Sequence, residues 1–522
     1  MIHLSYAPAL VILLCCTIFS EPVAARRSDA SLRSLGDKRR LEAKKRWESS
    51  PRRRSAAGNA RRAADTSASP GVKNITFTNP MASKFYVDGT KIPLVDFDVG
   101  PSWAGLIPIS SAADETGKLF FWLFPPGPEG SPDDLIIWLN GGPGCSSLEG
   151  SFQENGPFLW QRGQAVPTPN QWSWTNLSTI LYIEQPIGTG YTQGTPNAKD
   201  ENDVSQQLVG FLQQFLEIFK ELKGKNLYLS GESYGGMYVP YLANFIYENT
   251  TRATLDLDLV ACWMNDPTIG WPVVQSRIGA VGFVHDFERF FAFNQTFLAH
   301  LDSVAAKCNY ASYTEKYLTY PPRGPLPLPG TSTLSDPDCD VWGQIEDAAL
   351  HVNPAFNVYH IGDTMPILSD VLSETQTSPV YFNRRDVKEA IHAPLNVNWT
   401  LCNASVFPNG DASLPSAFTV LPNVIEKSKR VVIAQGLLDF LYTAEGTRIV
   451  LQNMTWGGVQ GFQQPITEDS FIVDGIGALG RLQSERGLTY VEIELSGHMV
   501  PAYSPIASFQ LMEYLMGFRD SP

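Results

Sequence analysis

Short apolar runs alternate along the chain with stretches of helical periodicity. Each run spans four to seven residues, the length of a strand that is buried on both faces of a sheet. The runs are Leu119–Phe124, Leu135–Leu139, Ile180–Ile183, Asn226–Leu229, Leu257–Trp263 and Arg430–Ala434. Apolar residues between Val204 and Leu222 repeat at helical spacing, which indicates an amphipathic helix packed on the sheet. The alternation predicts an α/β fold with a doubly wound, mostly parallel mixed sheet.

The strand pattern is interrupted between about residues 271 and 420. This stretch is rich in proline and aromatic residues, as in Tyr320–Gly330, and it contains Cys308 and Cys339. We expect an insertion that covers the active face of the sheet and is held by a Cys308–Cys339 disulfide. A separate, linker-joined domain fits the pattern less well.

The first 25 residues have the pattern of a secretory signal peptide. Leu10–Phe19 is apolar but too short to span a bilayer, and Val23–Ala25 supplies small residues at the cleavage position. An N-terminal membrane anchor is the alternative interpretation.

The stretch that follows is strongly basic. Residues 26–62 contain fourteen Lys/Arg and four Asp/Glu, and they cannot bury enough apolar surface to fold alone. A basic stretch can bind nucleic acid or anionic lipid. Behind a signal peptide, however, we interpret residues 26–70 as a pro-segment that is removed at paired basic residues, which leaves residues 71–522 as the mature domain.

Removal of the pro-segment leaves an acidic chain. The whole sequence carries a net charge of −14 at pH 7. Residues 26–62 contribute +10 and Glu21 contributes −1, so that residues 63–522 carry −23. This charge argues against nucleic acid as a partner. It also suits a protein that works in acid.

Other features place the mature chain in the secretory pathway. Seven N-x-S/T sequons are candidate glycosylation sites: Asn74, Asn176, Asn249, Asn294, Asn398, Asn403 and Asn453. No second long apolar run follows the signal peptide, and the C-terminal residues do not form a lipid-anchor signal. We therefore predict a secreted or vacuolar protein without stable membrane association. The sequence is compatible with both a monomer and a homodimer.

Five cysteines remain beyond the signal peptide: Cys145, Cys262, Cys308, Cys339 and Cys402. In an oxidising compartment an odd number predicts two disulfides and one free thiol. Cys262 lies in an apolar stretch, which favours it as the buried free thiol. Because neither C-x-x-C nor H-E-x-x-H spacing occurs, we expect no metal site, and no cofactor is predicted.

A glycine pattern near the C-terminus resembles a dinucleotide-binding loop. Gly475–Gly480 matches G-x-G-x-x-G, but such a site needs a helix and then a further strand within a βαβ unit. Here the strand pattern Gly487–Glu494 follows almost at once. We therefore interpret these glycines as part of a turn between strands.

A candidate nucleophile lies in Gly231–Gly235, which reads GESYG and matches G-x-S-x-G. A strand pattern ends at Ser230 and a helical pattern runs from Met237 to Tyr247, which is the setting of a nucleophile elbow. The flanking glycines let the chain turn tightly and leave the Ser233 hydroxyl exposed above the sheet. Because a serine hydroxyl is a poor nucleophile without a base, a histidine is also needed.

The candidate base and its partner follow later strands. His498 is the only histidine in the last 130 residues and follows the strand pattern Thr489–Glu494, and Asp439 follows the pattern that ends at Ala434. The order serine, acid, histidine is that of the α/β-hydrolases. An ionised Asp439 would hold the imidazole in the tautomer that accepts the serine proton. Alternatively, Asp439 caps the next helix and His498 is a buried, hydrogen-bonded histidine.

A glycine-rich stretch, WLNGGPGCSS (138–147), follows another strand and can direct backbone N–H groups at an oxyanion. On four blocks the sequence resembles the serine carboxypeptidases, most of all the secreted fungal members of the S1 type. The blocks are WLNGGPGCSSLEGSFQENGP (138–157), IEQPIGTGYT (183–192), GESYGGMYVP (231–240) and SGHMVP (496–501). The resemblance covers residues 72–522 and implies the α/β-hydrolase fold with a large cap over the active site.

The resemblance implies a role for each matching residue. Ser233 is the expected nucleophile, His498 the general base and acid, and Asp439 the residue that orients the imidazole. The expected oxyanion hole consists of the N–H groups of Gly142 and Tyr234. The expected binding site for the substrate's C-terminal carboxylate consists of Trp138, Asn140, the Gly141 N–H, Glu154 and Glu232. Two neighbouring carboxylates share a proton in acid, so one can donate to the substrate, and binding should weaken as the pH rises.

The family's pattern also implies a Cys145–Cys402 disulfide, and it differs from this chain at one place. Many relatives carry G-D-x-D-x-x-C-N around the acid, whereas this chain reads GLLDFLYT (436–443). Tyr442 replaces a half-buried cysteine beside the expected S1 pocket, which receives the residue preceding the scissile bond. Leu441 and Tyr442 should therefore shape this pocket, and the sensitivity to mercurials that such a thiol confers is in doubt.

The predicted function is that of an acid-active serine carboxypeptidase, which releases C-terminal residues of peptides and proteins through an acyl-enzyme. An acyltransferase or esterase on the same fold is the alternative enzyme, and Asn140, Glu154 and Glu232 together favour the peptidase. A non-catalytic binding protein is a third interpretation, against which the complete triad argues. Labelling of Ser233 by an organophosphate would distinguish it from both enzymes.

Overall fold

The computed structural model describes residues 75–328, 336–363, 372 and 380–522. The predicted signal peptide and pro-segment, and the sequon at Asn74, lie outside the described residues. Within those ranges, none of the helices has both the length and the apolar character that crossing a membrane requires.

The strands include every one that the apolar runs predict. They are β1 (Tyr86–Val87), β2 (Ser102–Pro108), β3 (Lys118–Phe124), β4 (Ser131–Leu139), β5 (Phe158–Leu159), β6 (Thr168–Pro169), β7 (Ser178–Glu184), β8 (Asn226–Glu232), β9 (Asp258–Asn265), β10 (Arg430–Gly436), β11 (Thr455–Trp456), β12 (Val459–Gln460), β13 (Thr467–Val473), β14 (Gly477–Glu485) and β15 (Leu488–Ile493).

Eleven strands form one mixed sheet in the order β1-β2-β3-β7-β4-β8-β9-β10-β15-β14-β13. The six strands from β7 to β15 in this order are parallel neighbours. The flanking strands at both edges pair antiparallel. The α/β fold class with a mixed sheet is confirmed, with parallel pairing confined to the centre. The glycines at 475 and 477 lie where β13 turns into β14, as predicted.

The helices lie between the strands, in the insertion and after the last strand. They are α1 (Leu148–Gln153), α2 (Glu201–Ile218), α3 (Gly235–Tyr247), α4 (Asn249–Thr254), α5 (Ala280–Asp286), α6 (Glu288–Phe291), α7 (Gln295–Lys307), α8 (Tyr310–Tyr317), α9 (Val341–Val352), α10 (Arg385–Ala390), α11 (Leu421–Lys427), α12 (Ala444–Asn453), α13 (Val500–Tyr503) and α14 (Pro505–Met516). Asp200 begins α2 as an N-cap, because its carboxylate accepts hydrogen bonds from two backbone N–H groups of the first turn.

Both faces of the sheet are buried, which explains the continuous apolar runs. Along β4, Ile137 belongs to one core cluster, whereas Ile136 and Trp138 belong to the other. Successive side chains of a strand point to opposite faces, so a strand covered on both sides needs apolar residues at every position. Helix α2 covers the first face through residues such as Phe211, and α14 covers the second through residues such as Leu511.

Helices α5 to α10 belong to the predicted insertion. The Cys308–Cys339 disulfide ties the end of α7 to the turn before α9. Phe440, which directly follows Asp439, packs against Phe283 and Trp342 of the insertion, with ring centroids 5.4 and 5.6 Å away. The insertion therefore contacts the loop that carries a predicted site residue.

Candidate active site

Ser233 lies between the end of β8 and the start of α3. Its φ of 56° is in the left-handed region, which non-glycine residues seldom adopt and which marks a sharp turn. Two backbone hydrogen bonds fix this turn, from Ser233 N to Asn265 O (3.0 Å) and from Thr268 N to Ser233 O (2.8 Å). A Cβ atom at Gly231 would lie 2.8 Å from Leu139 O on β4, so glycine permits this approach. The strand–turn–helix geometry of the predicted elbow is present.

The sheet order brings Asp439 and His498 to the same edge as Ser233. The carboxyl ends of β8, β9, β10 and β15 lie side by side, and the three residues follow β8, β10 and β15. His498 Nδ1 lies 2.8 Å from Asp439 Oδ2, and both side chains are buried. Asp439 Oδ1 accepts hydrogen bonds from the backbone N–H groups of Leu441 (2.8 Å) and Tyr442 (3.4 Å). Three donors therefore face the Asp439 carboxylate.

The imidazole of His498 is held on several sides. Its backbone carbonyl accepts a hydrogen bond from Asn265 Nδ2 (3.0 Å), and the rings of Tyr359 and Tyr442 lie 5.1 and 6.0 Å away. Burial lowers the pKa of His498, but the negative charges of Asp439 and Glu232 outweigh burial and raise the pKa above its usual value. His498 Nε2 is buried without a hydrogen-bond partner. With the proton on Nδ1, this nitrogen has a free lone pair and can act as a base.

The glycine-rich loop after β4 lies against the elbow. A Cβ atom at Gly141 would lie 2.4 Å from Tyr234 N and 2.7 Å from Ser233 Cβ, so a larger residue does not fit there. Gly142 has a φ of 112°, a conformation that favours glycine. The loop backbone is therefore close enough to the elbow for N–H groups of both segments to meet at one oxygen atom.

The disulfides join the expected cysteines. Cys145–Cys402 connects the glycine-rich loop to the insertion, and Gly144 N on the same loop donates to the Tyr238 hydroxyl of α3 (3.1 Å). Cys262 is buried and is the free cysteine among the described residues. The two disulfides and one free thiol predicted from the odd number of cysteines, and the Cys145–Cys402 pairing implied by the resemblance, both agree with this structure.

Two buried glutamates share one asparagine beside Ser233. Asn140 Nδ2 donates to Glu232 Oε1 (2.9 Å) and to Glu154 Oε1 (3.3 Å). Trp138 Nε1 donates to Asn140 Oδ1 (2.8 Å) and thereby fixes the orientation of the amide. Asn265 Nδ2, which the sequence did not single out, donates to Glu232 Oε2 (3.3 Å). The structure thus brings together all four side chains predicted for carboxylate binding.

The two glutamates favour a shared proton. Burial and the charge of Glu232 raise the pKa of Glu154 well above its usual value. Burial also raises the pKa of Glu232, although His498 and its hydrogen-bond partners act in the opposite direction. Glu154 Oε2 is buried without a partner, so a proton on it is free to reach a third group.

Asp266, which the sequence patterns also did not single out, lies beside Asp439. Its Oδ1 accepts hydrogen bonds from Gln435 Nε2 (2.6 Å) and Gly436 N (2.8 Å). A carboxylate oxygen of Asp266, one of Asp439 and a ring nitrogen of His498 all lie within 4.8 Å of one another. Only position could have revealed this residue: it directly follows β9, at the edge of the sheet where the other loops meet.

Leu441 and Tyr442, predicted for the S1 pocket, border a cavity of about 660 Å³ next to the triad. The cavity is lined by Trp271, Pro272, Val273, Ser276, Arg277, Leu328, Asp340, Trp342, Leu441 and Tyr442. Its charged lining residues, Arg277 and Asp340, form an ion pair of 3.2 Å. The cavity is large enough for an aromatic side chain and has aromatic walls.

The sequon asparagines differ in exposure. Three are exposed: Asn176, Asn294 and Asn398. Asn403 and Asn453 are half-buried, and their Nδ2 atoms donate to the carbonyls of Gly188 and Leu326. The side chain of Asn249 is outside the described part of the chain. Glycosylation stays a prediction at every sequon.

Comparison with known proteins gives consistent matches over most of the chain. Residues 95–517 match the family described as serine carboxypeptidase. The chain is 45% identical to a probable serine carboxypeptidase of Arthroderma benhamiae, over 85% of this chain and 88% of that protein. It is 38% identical to serine-type carboxypeptidase F of Aspergillus niger, over 86% of this chain and 90% of that protein.

A solved structure supports the fold. The prohormone-processing carboxypeptidase of Saccharomyces cerevisiae superposes with a TM-score of 0.67 at 23% identity, over 84% of this chain and 96% of that chain. At this identity the match carries information on the fold alone, and it confirms the α/β-hydrolase architecture.

Proposed function

The chain belongs to the serine carboxypeptidase family and is a serine-type carboxypeptidase; from this premise we propose that it releases C-terminal amino acids at acidic pH through Ser233, Asp439 and His498. The observation that carries the proposal is the buried group of Glu154, Asn140 and Glu232 beside the elbow. A site that binds a terminal carboxylate next to a serine nucleophile selects the last peptide bond of a chain.

The proposed reaction assigns one role to each of these side chains. Ser233 Oγ attacks the carbonyl carbon of the last peptide bond, and His498 Nε2 takes the hydroxyl proton. The N–H groups of Gly142 and Tyr234 stabilise the oxyanion. His498 then protonates the leaving amine, the C–N bond breaks, and the shortened peptide stays on Ser233 as an ester. A water molecule that loses a proton to His498 hydrolyses this ester and restores the serine.

Acid dependence follows from the carboxylate-binding group. Because the pKa values of Glu154 and Glu232 are both raised, the pair keeps a proton to a higher pH than ordinary carboxyl groups do. A protonated pair donates to the substrate carboxylate, whereas an ionised pair repels it. Substrate binding is therefore strongest at low pH and is lost as the pH rises through the raised pKa values, so KM increases with pH.

Secretion or delivery to a vacuole is part of the same proposal. Two disulfides stabilise the described part of the chain, and such bonds persist in oxidising compartments. Detection of the glycosylated protein in the medium or in a vacuolar fraction tests this, and a cytosolic protein with reduced cysteines would contradict it.

The catalytic roles are tested with three variants. Ser233→Ala should lower kcat for a blocked dipeptide by about 10⁴-fold or more and should abolish organophosphate labelling. Glu232→Gln and Glu154→Gln should raise KM for the dipeptide about tenfold or more, because each replaces the shared O–H donor by an amide N–H, whose hydrogen bond to the substrate carboxylate is longer and weaker. The same two variants should change hydrolysis of the corresponding amide, which lacks the free carboxylate, much less.

The exposed Glu129 provides the matched control, as Glu129→Gln. This variant should behave as wild type on both substrates. Equal losses on dipeptide and amide in the Glu154 and Glu232 variants would refute the carboxylate-binding role, and an active Ser233→Ala variant would refute the triad.

A further inference from the structure

Asp266 occupies an unusual place for an acidic residue. It is completely buried, directly follows β9, and has a φ of 43°, in the left-handed region. Asparagine, aspartate and glycine adopt this region more readily than other residues. Aspartate can therefore adopt the backbone conformation of this position, but a buried carboxyl group still needs hydrogen-bond partners.

Only one oxygen of Asp266 has conventional partners. Oδ1 accepts from Gln435 Nε2 and Gly436 N, whereas Oδ2 is buried and receives no hydrogen bond. The carboxylate of Asp439 lies close to that of Asp266, with an oxygen of one within 4.8 Å of an oxygen of the other. Two ionised carboxylates have no proton to share and repel each other, so this arrangement needs one proton on the pair.

The donors decide which residue holds that proton. Asp439 receives three donors, from Leu441 N, Tyr442 N and His498 Nδ1, which favours it as the hydrogen-bond acceptor of the pair. Asp266 receives two donors, both on the same oxygen. We propose that Asp266 is a positioning residue that stays protonated and donates its Oδ2 proton to the Asp439 carboxylate, which holds Asp439 in place for His498.

The surroundings of Asp266 agree with this assignment. The titratable groups that face it are Asp439 after β10, Glu232 at the end of β8 and His498 after β15, and Tyr442 lies on the Asp439 loop. Burial, and then the charges of Asp439 and Glu232, raise the pKa of Asp266 well above its usual value. The protonated form therefore persists over the acidic range in which the proposed function operates.

A proton donated to Asp439 has a consequence for the base. It spreads the negative charge of Asp439 over a second hydrogen-bonded group, so that His498 experiences a weaker field. Without this donor, the full charge of Asp439 would act on His498 and raise the pKa of the imidazole further. The imidazole would then be protonated, and unable to act as a base, up to a higher pH.

This inference rests on the proposed triad, and the test separates the two. Asp266→Asn keeps the left-handed backbone, an oxygen for Gln435 and Gly436, and an N–H donor for Asp439. Asp266→Gly keeps the backbone conformation but removes the donor. Asp134→Asn is the matched control, since Asp134 is buried at the opposite end of the sheet and its carboxylate accepts from Asn226.

The readouts are kcat, KM and the pH profile of kcat/KM on a blocked dipeptide. Asp266→Gly should lower kcat about tenfold or more with little change in KM, as expected for loss of one charge-assisted hydrogen bond in the machinery. The acid limb of its profile should move to higher pH. Asp266→Asn should keep a kcat and an acid limb close to those of wild type and of Asp134→Asn.

Two results would overturn the proposal. An equal loss of kcat in Asp266→Asn and Asp266→Gly would mean that an ionised Asp266 is required. A wild-type kcat and pH profile in both variants would mean that the residue does not act on the triad. An active Ser233→Ala variant, assayed in parallel, would instead refute the proposed function itself.

An infrared measurement covers the case in which Asp266→Gly does not fold. At neutral pH the wild-type spectrum should contain the band of a protonated carboxyl group that Asp266→Asn lacks and Asp134→Asn retains. If Asp266→Asn retains this band, the proposal is also overturned.

Discussion

Glu184, at the end of β7, offers a quantitative test of how burial controls the pH range of this protein. Its carboxyl group is completely buried and accepts hydrogen bonds from Ser146 Oγ, Trp399 Nε1 (2.8 Å) and Tyr191 N (2.6 Å). Burial raises the pKa of Glu184, the three donors pull it back, and the result is a pKa of about 7 instead of 4.5.

The magnitude follows from linkage between protonation and folding. Between about pH 4.5 and 7 the folded protein holds a proton on Glu184 that the unfolded chain has lost. The contribution of Glu184 to the free energy of unfolding is therefore fully present below pH 4.5 and is lost as the pH rises through 7. Each pH unit of such a window is worth about 1.4 kcal/mol, so the whole window lowers the free energy of unfolding by about 3 kcal/mol.

The assay is denaturant unfolding, with disulfides intact, at a series of pH values from about 4 to 8. Glu184→Gln removes the titrating group, and it also leaves an amide N–H₂ facing N–H and O–H donors, so its stability should be lower at acidic pH. The informative quantity is the difference between wild type and variant as a function of pH. That difference should shrink by about 3 kcal/mol between the two ends of the series.

Glu129→Gln, at an exposed position, is the control for the loss of a carboxylate as such. Its stability should stay parallel to that of wild type throughout. Parallel curves for Glu184→Gln and wild type would refute the reasoning, because they would show that Glu184 does not change its protonation state between the folded and unfolded chain in this range.

Two further predictions concern Cys262 and the S1 pocket. Burial raises the pKa of the Cys262 thiol to about 12. A mercurial or iodoacetamide at neutral pH should therefore leave the activity of the native enzyme unchanged and should react with Cys262 only after unfolding. Rapid inactivation of the native enzyme would contradict this prediction. Leu441→Asp introduces a charge into the cavity wall. It should lower kcat/KM about tenfold or more for substrates with phenylalanine before the scissile bond, relative to substrates with lysine there. An unchanged preference between the two substrates would show that Leu441 does not line this pocket.

Much of the site could be predicted because its chemistry depends on residue types in a fixed chain order. Ser233 was recognisable from its strand–turn–helix setting, and His498 from being the only histidine after the last predicted strands. Asp439 was recognisable from its position after a predicted strand. Each of these signals is local, since it consists of a residue type and its neighbours along the chain.

Asp266 and Asn265 could not be found in this way, because their roles depend on which strands become neighbours. Asp266 meets Asp439 only because β9 pairs with β10, and these strands are separated by the whole insertion. The antiparallel edges of the sheet were hidden for the same reason: apolar runs report burial, not the direction of the neighbouring strand. The high pKa of Glu184 likewise follows from burial by distant segments, including Trp399.

The two disulfides have a consequence for the fate of a broken chain. Cys145–Cys402 spans 257 residues, and Cys308–Cys339 lies within that span. A peptide bond cut between Cys308 and Cys339, for example in the exposed proline-rich segment near Arg323, is thus bridged twice. One fragment would carry Ser233 and the other Asp439 and His498, and the fragments would remain covalently joined. Such a nicked enzyme would run as two bands only after reduction, and its candidate active site would stay assembled because the two fragments that form it could not separate.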